Sequence, residues 1–295
     1  MSSQDNKEQA DLQMRMTVGK LYLVATPIGN LEDMTFRAVQ CLKDVDLIAC
    51  EDTRHSRILL DHYGITTRTT SYHEHNKYDK AAELVLQMQK GVNVAVITDA
   101  GTPGISDPGE ELVKQAMQAG IEITSLPGAS AVITALSMSG LSSRRFVFEG
   151  FLPADKKERK EALARLEQET RTMVLYEAPH RIHKTLAELM DTLGDRKIRL
   201  CRELTKKFEE VMAMTIREAL EHFENTEPKG EMVLIIEGMS REEAQAIALQ
   251  KWEQMSIREH VDYYMAQGMD EKEAMKEAAK DRGISKRDVY RDLKV

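Results

Sequence analysis

The chain has 295 residues and a mass of 33.5 kDa, a length that suits about two domains. Apolar residues make up 42% of it, so a packed core is expected and extended disorder is excluded. It has 41 Lys and Arg and 49 Asp and Glu, a net charge of −8. This charge excludes a uniformly basic surface for nucleic acid, so any RNA site has to be a local basic patch.

The first 17 residues are polar, and we expect them to form a disordered tail. They contain no apolar segment typical of a secretory signal, and no run of 18 apolar residues anywhere predicts a membrane helix. The three cysteines, Cys41, Cys50 and Cys201, are far apart and form no C-x-x-C pair, which disfavours both a disulfide framework and a zinc site. These features are typical of a cytoplasmic protein.

Residues 18–140 alternate short apolar runs with helical patterns and predict an N-terminal α/β domain. Strands are predicted at 21–26, 46–50, 67–73, 92–99 and 121–127, and helices at 34–45, 54–64, 79–91, 108–120 and 130–138. Helix 54–64 begins after Asp52 or Thr53, either of which suits an N-cap, and ends at Gly64. The regular alternation indicates a mainly parallel sheet with helices on its faces.

Residues 141–239 predict a second α/β domain. Its strands are predicted at 146–151, 172–177, 197–203, 208–215 and 231–238, and its helices at 155–169, 180–194 and 216–223. The last two strands enclose a short helix, which indicates a sheet of mixed direction.

Residues 240–295 contain only amphipathic helical patterns and predict a small C-terminal helical module. The stretch EAMKEAAKDRGISKRDVY has the spacing of a helix-turn-helix, with Gly283 in the turn and Ser285 as N-cap. Six Lys and Arg against three Asp in 280–295 make Lys286 and Arg287 candidates for phosphate contact. The alternative is a helical oligomerisation or capping appendage with an ordinary solvated face.

Three loops rich in Gly, Pro and small residues follow strands of the first predicted sheet. They are ATPIGN at 25–30, TDAGTPGISDPG at 98–109 and LPGAS at 126–130. Loops at the carboxyl ends of parallel strands converge on one crevice, and amides at a helix start suit a carboxylate or phosphate. None of the three reads G-x-G-x-x-G or G-x4-G-K-[ST], so nucleotide folds with those signatures are disfavoured.

Polar side chains that could carry chemistry occur at other strand ends. Glu51 and Arg54 follow the second strand, and His73 and His75 end the third. A His-x-His pair can bind a metal, but neither an acidic nor a Cys partner stands at ligand spacing, so we expect no metal site.

In the second domain, Tyr176 and Glu177 end a strand and Arg181 starts a helix. Residues 195–207 carry six Lys and Arg against two acids, a local charge of +4 that suits RNA phosphates. The alternative for this segment is an exposed, ion-paired surface.

Seven collinear motifs together resemble the ribosomal RNA small subunit methyltransferase I family, over roughly residues 18–295. They are TPIGNLED, EDTR, DAGTPGISDPG, PGASA, FEGFLP, EAPHR and RELTKKFEE. The resemblance implies two α/β domains of tetrapyrrole-methylase type (class III methyltransferases), with S-adenosylmethionine held between them. It also implies 2′-O-methylation of cytidine 1402 in 16S rRNA of the small ribosomal subunit, by a homodimer.

The resemblance also implies cofactor-binding residues, carried over position by position. They are Pro27, Ile28, Gly101, Thr102, Pro103, Gly104, Ile105, Ser130, Ala131 and Tyr176. Two motifs depart from the broader superfamily. Thr102 and Ser106 replace the acidic and Tyr positions of its G-D-P-x-x-Y loop, and ATPIG replaces its G-x-G-P-G loop, which argues against a tetrapyrrole substrate.

Candidates for a general base at the crevice are Glu51, His73, Asp99 and Glu177, while Lys206 or Arg202 suits stabilisation of a developing alkoxide. The candidate RNA contacts are Arg54, Arg181, Arg202, Lys206, Lys207, Lys286 and Arg287. Two other functions stay open: a methyltransferase acting on a tetrapyrrole or other small molecule, and a non-catalytic RNA-binding protein.

Overall fold

The computed structural model describes residues 18–240, 242–244, 246, 252 and 255–293. Within them the chain forms two five-stranded sheets, each covered by helices, followed by a group of short helices. The predicted tail at residues 1–17 and most of the helix pattern at 241–255 lie outside the described residues.

The first sheet is entirely parallel and has the strand order β3-β2-β4-β1-β5. Its strands are β1 (Lys20–Val24), β2 (Leu47–Cys50), β3 (Thr69–Ser71), β4 (Val94–Ile97) and β5 (Glu122–Leu126). Its helices are α1 (Phe36–Asp44), α2 (Thr53–His62), α3 (Lys77–Gln89), α4 (Gly109–Gln118) and α5 (Ala131–Met138). The predicted parallel α/β arrangement is confirmed, and all carboxyl ends of these strands meet at one edge of the sheet.

The second sheet is mixed, as predicted, with the order β6-β7-β10-β8-β9 and a single parallel pair, β6 with β7. Its strands are β6 (Phe146–Phe151), β7 (Thr172–Glu177), β8 (Lys197–Arg202), β9 (Glu210–Thr215) and β10 (Met232–Ile236). Its helices are α6 (Lys156–Leu166), α7 (Ile182–Leu193) and α8 (Ile216–Asn225).

Apolar side chains bury both faces of each sheet, which is why the central strands read as continuous apolar runs. Strands β2, β4 and β10 are buried at every position. Helix α5 follows strand β5 of the first sheet along the chain. Its Val132, Ala135 and Leu136 nevertheless pack with Val233 and Ile235 of β10, in the second sheet. The two halves therefore share an apolar core along α5, which fixes the walls of the space between them.

The C-terminal helices α9 (Ile257–Ala266), α10 (Glu271–Asp281) and α11 (Lys286–Leu293) form their own small core. Gly283 lies in the turn between α10 and α11 with a positive φ of 63°, and the Asp288 N–H donates to Ser285 Oγ at 3.2 Å. The predicted turn glycine and cap are thus confirmed locally. Among the described residues, no helix has both the length and the apolar character needed to cross a membrane.

The predicted strands and helices are found in order, and the differences are at their ends. The strand predicted at 67–73 is only three residues long, because Tyr72 and His73 already turn toward the next helix. Asp52, rather than Thr53, caps α2: its carboxylate accepts from the Arg54 N–H at 2.8 Å. The domain boundary near residue 140 stays a prediction.

Candidate active site

A cleft lies between the two sheets at the carboxyl edge of the first. It has two adjoining lobes of about 450 and 400 Å³, within the size range of small-molecule sites. The first lobe is lined from both halves, including Glu51, Gly101, Ser130, Tyr176 and Glu203. The second lobe is lined mainly by the loop after β1 and by helix α2. Six residues line both lobes: Ile28, Thr98, Asp99, Ala100, Lys206 and Glu231.

The loops after β1 and β4 are tied together by backbone hydrogen bonds. The Thr26 N–H donates to the Gly101 carbonyl at 2.9 Å, and the Gly101 N–H donates to the Thr26 carbonyl at 3.1 Å. The buried Thr26 hydroxyl adds a bond to the Thr98 carbonyl at 3.0 Å. Because these groups are buried and paired, the floor of the cleft has a fixed backbone geometry.

The Asp107 carboxylate organises the loop from residue 98 to 109. It accepts N–H bonds from Gly104 at 2.9 Å, Ile105 at 3.0 Å and Gly109 at 2.7 Å. Sequence reasoning missed Asp107, although an Asp ahead of Pro-Gly in a turn is a recognisable signal. Ser106, the residue before it, has a φ of 61°, a conformation that non-glycine residues rarely adopt.

The start of α5 forms another wall of the first lobe, where Ser130 and Ala131 line the cleft. The Thr102 hydroxyl donates to the Ala129 carbonyl at 3.0 Å and joins the loop after β4 to this helix start. Ser130 is the N-cap residue, but its side chain makes no capping hydrogen bond. Such a helix start carries a partial positive charge and N–H donors, which suits a carboxylate.

An aromatic group closes the opposite side of the first lobe. The ring of Tyr176 lies 5.1 Å from that of Phe148 and 5.4 Å from that of Phe151, measured between centroids. Burial raises the pKa of the Tyr176 hydroxyl to about 12, so the ring stays neutral. Cys201 also lines this lobe, and burial raises the pKa of its thiol to about 11.

The loop at residues 203–209, between β8 and β9, brings the second half of the chain against the first. Glu203 and Thr205 have φ values of 51° and 64°, and a left-handed β-branched residue such as Thr205 is a true outlier. A Cβ on Gly29 would lie 2.6 Å from Lys206 Cγ and 2.9 Å from the Leu204 carbonyl oxygen. Only glycine therefore allows this approach.

Two carboxylates, Glu51 and Asp99, lie together at the cleft. Burial raises the pKa of Glu51, and the negative charges of Asp99 and Asp107 raise it further. Asp99 accepts a bond from the Asp52 N–H at 3.3 Å. Opposite them, Lys206 Nζ lies 3.0 Å from Glu203 Oε1. The cleft therefore holds carboxylates able to accept a proton and a cation able to stabilise negative charge.

Most of the predicted cofactor residues line the first lobe, and three do not. Pro27 lines the second lobe instead. Pro103 and Gly104 line neither lobe: Pro103 is buried within the loop, and the Gly104 N–H is bound by Asp107. Both residues shape the loop, and their direct contact with a cofactor stays a prediction.

Glu177, a predicted candidate base, lines neither lobe of the cleft, and its side chain faces the helices α6 and α7. Its carboxylate is fully buried and contacts the Thr185 hydroxyl, Arg181 Nε at 3.3 Å and Arg159 Nη2 at 4.0 Å. Arg181 is held in the same network and also donates to the Leu152 carbonyl at 2.6 Å. The Glu177 carboxylate is thus enclosed by this network, whereas the Arg181 side chain stays 27% exposed.

His73 is not among the lining residues of either lobe, and its role as a base stays a prediction. Its ring lies edge-on to that of His75, 5.9 Å away between centroids, and its proximity lowers the pKa of Glu51. Within the part of the chain that the structure describes, no three His, Cys, Asp or Glu side chains are grouped to hold a metal ion.

The predicted RNA contacts are dispersed, and only Lys206 reaches the cleft. Arg54 pairs with Asp52 at 3.1 Å and Arg202 with Glu210 at 2.6 Å. Lys207 is exposed beside Lys206. In the C-terminal module, Lys286 Nζ donates to the Lys272 carbonyl at 3.0 Å, and Arg287 is exposed on α11.

Comparison with known proteins first identifies the class. A family model described as tetrapyrrole (corrin/porphyrin) methylases matches residues 20–220. A uroporphyrin-III-C-methyltransferase from Thermus thermophilus is 20% identical, covers 74% of this chain and 94% of its own, and has a TM-score of 0.54. A diphthine synthase is 12% identical with a TM-score of 0.58, covering 77% of this chain and 93% of its own. The fold is thus that of the tetrapyrrole methylases.

Sequence relatives are more specific. A ribosomal RNA small subunit methyltransferase I of Halalkalibacterium halodurans is 46% identical over 96% of this chain and 98% of its own length. Those of Bacillus subtilis and Haemophilus influenzae are 45% and 52% identical over 96% and 75% of this chain, and over 97% and 79% of their own lengths. The chain belongs to the ribosomal RNA small subunit methyltransferase I family.

We expect Glu177→Ala to lower the free energy of unfolding by about 3 kcal/mol, because it removes a fully buried carboxylate that contacts Thr185 and Arg181, while Arg159 keeps its pair with Glu188 at 2.6 Å. Urea denaturation measures this. The matched control is Asp61→Ala, which removes an exposed Arg–carboxylate pair with Arg57 and should cost less than about 1 kcal/mol. Equal losses for the two variants would contradict the structural role of Glu177.

We expect Glu51→Gln to raise the melting temperature at pH 7. A carboxyl whose pKa is raised on folding binds its proton more tightly when folded, so its ionised form destabilises the protein at neutral pH. The gain should disappear as the pH falls below the ordinary value of 4.5, where Glu51 is protonated in both states. Scanning calorimetry from pH 4 to 8 tests this, with Glu161→Gln on the exposed face of α6 as control.

Proposed function

We propose that this protein uses S-adenosylmethionine to methylate a ribose 2′-oxygen of 16S rRNA, at cytidine 1402 of the small ribosomal subunit. The observation that carries the proposal is the two-lobed cleft with Asp99 and Lys206 common to both lobes. Group transfer needs donor and acceptor in contact, and adjoining lobes with shared walls provide that arrangement. The names of the relatives, which are ribosomal RNA methyltransferases, support the rRNA substrate.

The first lobe fits S-adenosylmethionine in size and in chemistry. The donor-bearing start of α5 at Ser130 and Ala131 suits the carboxylate of its methionine part. Ile28, Ile105 and the neutral ring of Tyr176 offer apolar contact to its adenosine part. A related uroporphyrin-III C-methyltransferase of Thermus thermophilus, 18% identical, was solved in complex with S-adenyl homocysteine. These features support the first lobe as the cofactor site.

The second lobe suits the target nucleoside. It opens beside Pro27, Leu31 and Ile58, which are apolar, and beside His55, which can donate or accept a hydrogen bond. A nucleotide that enters it from a single-stranded region would place its ribose near the shared residues Asp99 and Lys206.

S-adenosylmethionine supplies, when bound, a methyl group activated by the positive sulfur. The protein has to hold the 2′-oxygen and take up its proton. We propose that the Glu51–Asp99 pair accepts that proton, with Glu51 made more basic by burial and by its acidic neighbours. The Lys206 ammonium stabilises the negative charge that develops on the oxygen.

Two other functions fit the fold less well. A tetrapyrrole methyltransferase would share the cofactor lobe, but the relatives that match most of this chain are named for ribosomal RNA. A non-catalytic RNA-binding protein would not need carboxylates beside a donor-bearing helix start.

We further propose that the protein is a homodimer and that it acts on the assembled small subunit in the cytoplasm. Light scattering tests the dimer.

The decisive experiment supplies methyl-labelled S-adenosylmethionine together with 30S particles, naked 16S rRNA or a porphyrinogen. We expect label on one ribose of the rRNA in 30S particles, at cytidine 1402 when the RNA is mapped. Label on the porphyrinogen would replace our proposal with the small-molecule reaction. If no label is transferred and calorimetry detects no cofactor binding, the protein is not a methyltransferase.

We expect Glu51→Gln to lower kcat by about 10²–10⁴-fold while cofactor affinity changes little, because a general base contributes on that order. The kcat of the wild type should fall in acid with an apparent pKa above the ordinary 4.5 of glutamate. Asp99→Asn distinguishes the roles of the two carboxylates. If one of the two variants abolishes the fall of kcat in acid, the residue changed in that variant is the base. If both variants keep the wild-type rate and profile, neither carboxylate is the base.

A further inference from the structure

The loop at residues 203–209 is rigid at a position where a flexible hairpin would be ordinary. The Lys206 N–H donates to the Glu203 carbonyl at 3.0 Å, and the Glu209 N–H donates to the Lys206 carbonyl at 3.1 Å. The Glu209 carboxylate accepts from the Thr205 N–H at 2.7 Å, and Leu204 is buried in the shared core. Together with two left-handed residues, these contacts hold the outer part of the loop in one shape.

The outer part of this loop presents Phe208 to solvent, with 68% of the residue exposed. The Lys207 ammonium lies 5.6 Å from the centre of its ring. Phe208 is only two residues from Lys206, which lines both lobes, so their Cα atoms are at most about 8 Å apart. The loop therefore carries an exposed aromatic ring close to the cleft.

The loop has two lysines and two glutamates, and its Lys207 is the charge that suits an anionic partner. The acidic side chains in and beside the loop are engaged within the protein: Glu203 with Lys206, Glu209 with the Thr205 N–H, and Glu210 with Arg202. Among the residues that the structure describes, no carboxylate lies within 4 Å of the Lys207 ammonium. The loop therefore offers a cation and the face of an aromatic ring, the combination with which proteins bind single-stranded nucleic acid.

We propose that Phe208 stacks on a base of the substrate RNA next to the target nucleotide, while Lys207 contacts the adjoining phosphate. This inference rests on the proposed function, since it takes RNA as the substrate. Stacking on this ring would hold the flanking base close to the cleft and leave the target nucleotide free to enter the second lobe.

The test compares Phe208→Ala, Phe208→Leu and Phe208→Trp with the wild type on 30S particles. We expect KM to rise on the order of tenfold for Ala and Leu and to stay near wild type for Trp, because Trp keeps an aromatic face and Leu keeps only apolarity. Cofactor affinity by calorimetry should not change. The matched control is Tyr78→Ala on α3, because Tyr78 is also exposed (63%) with a lysine, Lys77, 5.3 Å from its ring centre.

Equal KM values for Phe208→Ala and wild type would overturn the inference. An equal rise in KM for Phe208→Leu and Phe208→Trp would overturn it as well. A change of oligomeric state in Phe208→Ala, measured by light scattering, would assign the ring to contact with a second copy instead. If the wild type transfers no methyl group to 30S particles, the proposed function fails on its own. Filter binding of a single-stranded RNA oligonucleotide to wild type and Phe208→Ala then still decides whether the ring binds bases.

Discussion

The pair of backbone hydrogen bonds between Thr26 and Gly101 determines the shape of the cleft. The loops after β1 and β4 leave neighbouring parallel strands, and without a connection each would be free to take its own path. Once they are joined, Asp107 can close the rest of the loop after β4, and Thr102 can reach the carbonyl ahead of α5. The site is therefore built on buried, paired backbone, which is the most rigid support that a loop can have.

Besides the apolar core along α5, the second half of the chain completes the site through a close backbone approach. Gly29 admits the Leu204 carbonyl and the Lys206 side chain, and this contact places the cation at the junction of the two lobes. The three non-glycine residues with positive φ, among those described, are Ser106, Glu203 and Thr205, and all lie in cleft-forming loops. Backbone strain is thus concentrated where the geometry has to be held for a ligand.

The sequence predicts the fold well because its signals are local. Short apolar runs alternating with capped amphipathic helices define the parallel sheet, and the carboxyl ends of its strands define the crevice. For Glu177, position at a strand end did not indicate which way the side chain faces, whereas the alternation of side chains along a strand does. Neighbouring residues on a strand face opposite sides, so Tyr176 in the cleft requires Glu177 to face the helices α6 and α7. The strain at Thr205 arises from tertiary packing, and no sequence pattern signals it.

The chemistry of Cys201 has a consequence for the survival of the enzyme itself. A sulfur atom in the wall of a site that holds an alkylating agent is a target for self-inactivation, since thiolates are far better nucleophiles than ribose hydroxyls. Burial raises the pKa of this thiol to about 11, so at neutral pH almost none of it is ionised. In the proposed function, the burial that raises the pKa of Glu51 also keeps the Cys201 thiol protonated beside the methyl donor, so desolvation of the cleft wall favours methyl transfer to the ribose oxygen over transfer to sulfur.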